Sequence, residues 1–150
     1  MSWTASGMMT DTFADALNNS IALALSSDTI NIALFDNTTA VAFDTASAAY
    51  GVSPWDTGEV DMGASPWPAG GVALSTPALT GGSGNLKFDA ADVSVASTTL
   101  AGAYGCLIYD STVSSRAIIA VYFGGSYSTS NGTWGITWDS TGIAVIDLTP

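Results

Sequence analysis

Two apolar runs of strand length, joined by a short polar segment, dominate the C-terminal half of this sequence. The first run covers residues 104–110 and the second covers residues 117–125, with a serine-rich segment between them. Both runs are rich in β-branched and aromatic side chains, which favour strands, and a polar linker of this length connects the two strands of many hairpins. The sequence therefore predicts a β-hairpin over residues 104–125.

The charge balance excludes several classes of partner. Lys and Arg total 2 against 13 Asp and Glu residues, which gives a formal net charge of −11. Such a surface repels phosphate, so we expect no nucleic acid and no anionic membrane as a partner. The longest apolar runs are too short to cross a bilayer, and residues 1–10 lack the features of a secretory leader. We therefore expect the chain to stay in the cell that makes it until a larger assembly carries it out.

Residue types that support catalysis or metal binding are scarce. Histidine is absent, which removes the usual general base and the commonest zinc ligand. The single cysteine, Cys106, lies inside the first apolar run and is predicted to be a small buried hydrophobe. Two groups of carboxylates remain, without the spacing of a calcium-binding loop; their members are Asp56, Glu59, Asp61, Asp89 and Asp92. We predict no enzyme activity, no cofactor and no metal, with these carboxylates in solvated or capping positions.

Hydrophobic periodicity divides the N-terminal part into a helix and a hairpin. Over residues 11–26 apolar side chains recur every four residues, which predicts an amphipathic helix; they are Phe13, Leu17, Ile21 and Leu25. From residue 30 the period falls to two, so residues 30–35 and 40–43 predict a first hairpin. Residues 50–78 contain four prolines and two tryptophans, which predicts a long loop with a short edge strand at 59–62.

The remaining sequence consists of short strand-like segments. They cover residues 86–88, 93–95, 97–100, 133–138 and 143–148, in addition to the central hairpin. The Asn131-Gly132 pair predicts a tight turn before the segment at 133–138. Many short strands with turn signals between them indicate a mainly β protein. We predict one domain over residues 1–150: an antiparallel β-sandwich or barrel-like domain with an N-terminal arm at 1–10 and one N-terminal α-helix.

Three tryptophans lie in irregular segments, namely Trp3, Trp55 and Trp67. One interpretation places them over the sandwich as part of the core. The other makes them anchors between subunits, because tryptophan is enriched at the energetic centres of interfaces. On the second interpretation the predicted partner-contact residues are Trp3, Met8 and Met9 in the arm, with Trp55 and Trp67 in the loop.

Several stretches spread over most of the chain carry a family resemblance. They are residues 3–5, 32–36, 67–71, 88–92, 102–110, 122–125, 132–138 and 142–143. In these stretches the chain resembles small virion proteins from tailed phages of actinobacteria. The resemblance implies a structural role without catalytic residues, either in capsid decoration, as a minor capsid protein or in the tail.

On this resemblance, the first expectation is a decoration protein that binds the outer capsid surface and stabilises the shell. It implies the major capsid protein as a partner, a homo-oligomer with a trimer as one expected form, and a location in the virion after assembly in the host cytoplasm. Two alternatives stay open. One is a component of the phage tail or fibre, and the other is a carbohydrate-binding β-sandwich that uses Trp or Tyr faces as platforms for sugars.

Overall fold

The computed structural model describes residues 3–149 and is mainly β, with one short helix near the N-terminus, which confirms the predicted fold class. Its elements, in chain order, are β1 (Gly7–Met8), α1 (Thr10–Leu17), β2 (Ile30–Phe35), β3 (Glu59–Val60), β4 (Val72–Ala73), β5 (Ala78–Gly82), β6 (Asn85–Asp89), β7 (Val93–Asp110), β8 (Arg116–Ile136) and β9 (Ala144–Asp147).

The strands form two antiparallel sheets. The larger sheet has six strands in the order β1-β8-β7-β2-β3, with β4 also paired to β2. The smaller sheet has three strands in the order β5-β6-β9. The predicted strands at 86–88 and 143–148 correspond to β6 and β9, and the predicted edge strand at 59–62 corresponds to β3, which ends at Val60.

The central hairpin is confirmed, and it is much longer than predicted. β7 has 18 residues and β8 has 21, and together they absorb the segments predicted as separate strands at 93–95, 97–100 and 133–138. The predicted turn at Asn131-Gly132 is wrong, because both residues lie inside β8, where Gly132 is opposite Thr98. Asn131 has a φ of 49° next to a shift in register. A residue with positive φ suits a bulge within a strand as well as a turn between strands.

The predicted helix over residues 11–26 is also wrong in length. α1 ends at Leu17, and Asn19 has a φ of 57°, in the left-handed region. Asparagine and serine compete for backbone hydrogen bonds and tolerate this conformation, so residues 18–20 terminate the helix. The fully buried side chain of α1 is Thr12, whereas Leu17 is 88% exposed. The stripe with a period of four residues therefore does not form one buried helical face.

The predicted first hairpin is wrong in its second strand. β2 forms, but residues 40–43 are irregular, because both edges of β2 are already paired, one with β7 and the other with β3 and β4. Asp36 turns the chain away from the sheet by accepting hydrogen bonds from the Thr38 backbone N–H and hydroxyl, at 2.7 and 2.6 Å. The buried Thr39 then donates its hydroxyl to the carbonyl of Thr57.

Both faces of the larger sheet are covered at the closed end of the hairpin. On one face, Ile32 and Ile118 share a cluster with Phe88 of the smaller sheet, so the two sheets have a common core. On the other face, Phe35 and Leu107 pack with side chains from the N-terminal arm and from the loop after β2. A strand buried on both faces has a continuous apolar sequence, which explains the two runs that predicted the hairpin.

Candidate functional site

The structure places four of the five predicted partner-contact residues in the core of the chain. Trp3, Met9, Trp55 and Trp67 are all buried, and only Met8 keeps accessible surface. The prediction that these four side chains contact a partner is therefore corrected, because they have no free surface to offer. The interpretation that places Trp3, Trp55 and Trp67 in the core is the one that agrees with the structure.

Packing against the sheet explains why these tryptophans are buried. The Trp3 ring lies against Gly105, where an added Cβ would come within 2.6 Å of the ring. Its indole N–H donates to the carbonyl of Asp36 at 2.8 Å, and its ring centroid is 5.8 Å from that of Trp55. Trp67 packs edge-on against Trp134 at 6.4 Å on the opposite face. Loops and the arm thus complete the core on both faces of the larger sheet.

Glu59, one of the candidate acidic residues, holds the Trp-containing loop together. Its carboxylate accepts a hydrogen bond from the Tyr50 hydroxyl at 2.7 Å and from the Gly70 backbone N–H at 2.6 Å. The Tyr109 hydroxyl donates to the Gly70 carbonyl, and the rings of Tyr50 and Tyr109 stack at 4.7 Å. Burial, followed by the hydrogen bond to Glu59, raises the pKa of Tyr50. All these contacts are structural.

The other candidate carboxylates also have local roles or lie in solvent. Asp61 accepts the backbone N–H of Gly63, and Asp92 accepts that of Trp138. Asp89 pairs with Lys87 at 2.9 Å, and Asp56 is exposed. Within residues 3–149, no three Cys, Asp or Glu side chains are grouped as ligands for a metal ion. Cys106 is buried as predicted, and burial raises the pKa of its thiol.

Arg116 docks the helix on the closed end of the hairpin. Its guanidinium contacts the carboxylates of Asp15 at 2.6 Å and Asp11 at 3.1 Å, and its Nε donates to the Thr12 hydroxyl at 2.9 Å. Thr12 in turn donates to the carbonyl of Ala117 at 2.7 Å. Both cationic side chains of the protein, Lys87 and Arg116, are therefore engaged in ion pairs, and the remaining surface charge is acidic.

A pair of carboxyl groups lies beside the turn of the hairpin. Asp110 is fully buried, and its Oδ1 accepts backbone N–H groups from Thr112 at 2.8 Å and Val113 at 3.1 Å. The other oxygen, Oδ2, is buried and has no hydrogen-bond partner among the described residues. Burial raises the pKa of Asp110, and the neighbouring Asp28 carboxyl raises it further.

This arrangement predicts a pH effect for Asp110→Asn. A raised pKa in the folded state stabilises the fold below pH about 4, and this contribution is lost as the pH rises through the folded pKa. The amide keeps the oxygen acceptor for the Thr112 backbone N–H but does not titrate. The free energy of unfolding of the wild type, relative to Asp110→Asn, should therefore fall as the pH rises, measured by urea denaturation at a series of pH values.

Asp139→Asn is the matched control for this experiment. Hydrogen bonds from the Thr141 backbone and side chain lower the pKa of the exposed Asp139. A lowered pKa in the folded state stabilises the fold at pH values above the ordinary pKa of aspartate, and this contribution is lost as the pH falls. The free energy of unfolding of the wild type, relative to Asp139→Asn, should therefore rise as the pH rises. The same trend in both comparisons would contradict the assignment of the raised pKa to Asp110.

An almost entirely apolar concave surface lies between α1 and the smaller sheet. We call it the apolar groove; its volume is about 570 Å³, and it is lined by Met8, Thr10, Phe13, Ala14, Ala16, Leu17, Leu23, Leu25, Leu79, Leu86, Ile146 and Leu148. None of these side chains is ionisable. Leu17 is 88% exposed at its rim, and Leu148 and Leu79 are also exposed. Sequence reasoning missed this surface because it assigned Leu17 to a buried helical stripe.

A second concave surface lies along the outer half of β8. We call it the aromatic groove; its volume is about 350 Å³, and it is lined by Phe123, Tyr127, Ser128, Thr129, Thr133, Trp134, Gly135 and Ile136. Its lining combines aromatic rings with hydroxyl groups and has no ionisable acid or base apart from the tyrosine. These aromatic residues lie in two segments that the sequence predicts as separate strands, residues 117–125 and 133–138. The sequence alone therefore does not indicate that they share one groove.

Comparison with known proteins gives no relative for this chain: no protein-family model, no curated protein and no solved structure matches it. In the part of the chain that the structure describes, no helix is long and apolar enough to cross a membrane. The candidate functional surfaces are therefore defined by geometry and chemistry alone, as the apolar groove and the aromatic groove.

Proposed function

We propose that this chain is a non-enzymatic structural protein of a tailed-phage virion, a decoration protein that forms homo-oligomers on the outer capsid surface. The observation that carries the proposal is the apolar groove with Leu17 at its rim. Large exposed apolar patches mark interaction surfaces in soluble proteins. The resemblance to small virion proteins supports the location, with the major capsid protein as the second partner.

The apolar groove fits a second copy of this chain. Each copy has a net charge of −11, so two copies repel each other wherever their acidic surfaces meet. The apolar groove is lined by uncharged side chains, so repulsion is weakest there. The exposed Leu17 lies beside the concave part of this surface, so the groove of one copy can accept Leu17 of the other.

An acidic exterior supports a position on the outside of the shell. The two cationic side chains are both paired with carboxylates, so the protein offers no free Lys or Arg side chain to packaged DNA. The decoration protein would stabilise the shell mechanically by linking subunits of the major capsid protein through its oligomer. This role needs contact surfaces and a rigid core but no catalytic group.

The location is tested by cryo-electron microscopy of the virion that contains this chain. We expect density for the β7–β8 hairpin and the smaller sheet on the outer shell, at contacts between capsid subunits. Density confined to the tail would overturn the decoration function and favour the tail or fibre alternative. Absence of the chain from the particle would overturn the structural function altogether.

The subunit contact is tested by Leu17→Ser. Burying one leucine stabilises a contact by about 1.5–3 kcal/mol, so the association constant should fall about tenfold to a hundredfold. Analytical ultracentrifugation over a range of protein concentrations measures this change. Val52→Ser is the matched control, because Val52 is 55% exposed and does not line the apolar groove. A wild type that stays monomeric, or equal association of the two variants, would contradict the proposed contact.

A further inference from the structure

We propose that the aromatic groove binds a neutral saccharide. This inference goes beyond the structural role, since it assigns a ligand to a surface that the proposed oligomer does not use. Ligand sites are concave, with a volume of about 300–1,000 Å³, and combine apolar or aromatic walls with a few polar groups. The aromatic groove, at about 350 Å³, has this size and this composition.

The aromatic side chains supply a platform for the ligand. Phe123 lies between Tyr127 and Trp134, with ring centroids 6.3 and 6.0 Å away. Trp134 is only 5% exposed, so it fixes Phe123 from the core side, whereas Tyr127 is 54% exposed. The face of an aromatic ring carries partial negative charge, and it attracts the weakly positive C–H groups that cover one face of a pyranose. Tyr127 is therefore the main contact for a sugar ring.

Hydrogen-bonding groups surround this platform. The Ser128 hydroxyl accepts the Gly102 backbone N–H at 2.9 Å and keeps its own proton for donation. Thr133 is exposed, and its side chain has room to bond a ligand. On the outer edge of β8, β1 pairs at Ile119 and Ala120, Ala49 forms a bridge with Arg116, and the Tyr122 backbone N–H donates to the Ser6 hydroxyl. Beyond Tyr122, no strand in the described part of the sheet pairs with this edge. Backbone groups farther along that edge are therefore available to sugar hydroxyls.

Charge selects a neutral ligand over an anionic one. The aromatic groove contains no cationic side chain, and the net charge of −11 repels phosphate, sialic acid and uronic acid groups. A purely apolar ligand would leave the open strand edge and the Thr133 hydroxyl without partners. A neutral saccharide has both an apolar face and hydroxyl groups, so it satisfies both parts of the lining.

A glycan array provides the first test, with neutral hexose and N-acetylhexosamine oligomers as probes and sialylated and uronic acid oligomers as charged comparators. We expect binding to neutral probes alone. The best neutral oligomer is then titrated in solution while tryptophan fluorescence is recorded. Tyr127→Ala should lower the affinity about tenfold or more, and Tyr127→Phe should keep it within about threefold, because the ring face is retained.

Thr133→Val is a second variant on the polar side of the groove, and it should weaken binding about threefold to tenfold through loss of one hydrogen bond. Thermal unfolding verifies that each variant is folded. Leu17→Ser should leave the solution affinity unchanged, so failure of this proposal is distinguishable from failure of the proposed oligomer. No binding to any neutral probe, binding to charged probes alone, or equal affinity of Tyr127→Ala and wild type would overturn the proposal.

Discussion

Trp55→Ala is expected to lower the free energy of unfolding by about 3–5 kcal/mol, because it removes a fully buried ring and leaves a cavity. The Trp55 ring lies 5.2 Å from Phe35 and 5.8 Å from Trp3, measured between centroids, so its loss uncovers one face of the larger sheet. Urea denaturation measures the loss. A tryptophan that served only as a subunit contact would instead weaken association and leave the stability of the monomer nearly unchanged.

Val52→Ala is the matched control in the same loop. Val52 is exposed, and surface substitutions of this kind change stability by about 0.5 kcal/mol or less. A large loss for Trp55→Ala with a small loss for Val52→Ala would support the assignment of the loop to the core. Equal small losses would show that the Trp55 side chain does not cover the sheet in solution.

Arg116→Met is expected to lower the free energy of unfolding by about 2–3 kcal/mol. The guanidinium is largely buried and bonds Asp11, Asp15 and Thr12, so methionine keeps much of the volume but loses the contacts that dock α1. We place the effect below that of a fully buried ion pair, because the two carboxylates are about one-third exposed and can be hydrated. Urea denaturation at neutral pH measures the change.

Lys87→Met tests whether the loss of any cationic side chain lowers the free energy of unfolding as much as Arg116→Met does. The pair of Lys87 with Asp89 is more exposed than that of Arg116, and surface pairs contribute about 0–1 kcal/mol. Since both variants raise the net negative charge by the same amount, the difference between them reports the local contacts of Arg116. Equal losses would assign the effect to overall charge repulsion rather than to docking of the helix.

The candidate surfaces were harder to predict than the fold. Tryptophan in a loop rich in proline and glycine is compatible with both an interface and a core, and local sequence does not distinguish them. The apolar groove depends on where α1 ends, since Leu17 would lie on the predicted stripe if the helix continued to residue 26. The aromatic groove depends on the continuity of β8, which brings Phe123 and Trp134 to 6.0 Å despite eleven positions of separation.

The structural role of the Asn131-Gly132 pair depends on the strand opposite it. Asn131-Gly132 favours positive φ, and the structure uses that preference for a bulge in β8 opposite Thr98. Here the Thr98 and Thr129 hydroxyls lie 2.8 Å apart, and Thr98 donates to the carbonyl of Gly132. Whether such a pair ends a strand or bends it is decided by the partner strand, which lies about thirty residues away in the sequence.

Local composition was sufficient to predict the mainly β class, the central hairpin, the buried Cys106 and the acidic surface, because periodicity, β-branched residues and charge act over neighbouring positions. Tertiary structure decided the rest: the long β7 and β8 strands, the short helix, the burial of Trp3, Trp55 and Trp67, and both grooves. These features arise from contacts between distant segments. The closed end of the hairpin buries both faces of its sheet, so the arm and the proline-rich loop must cover it.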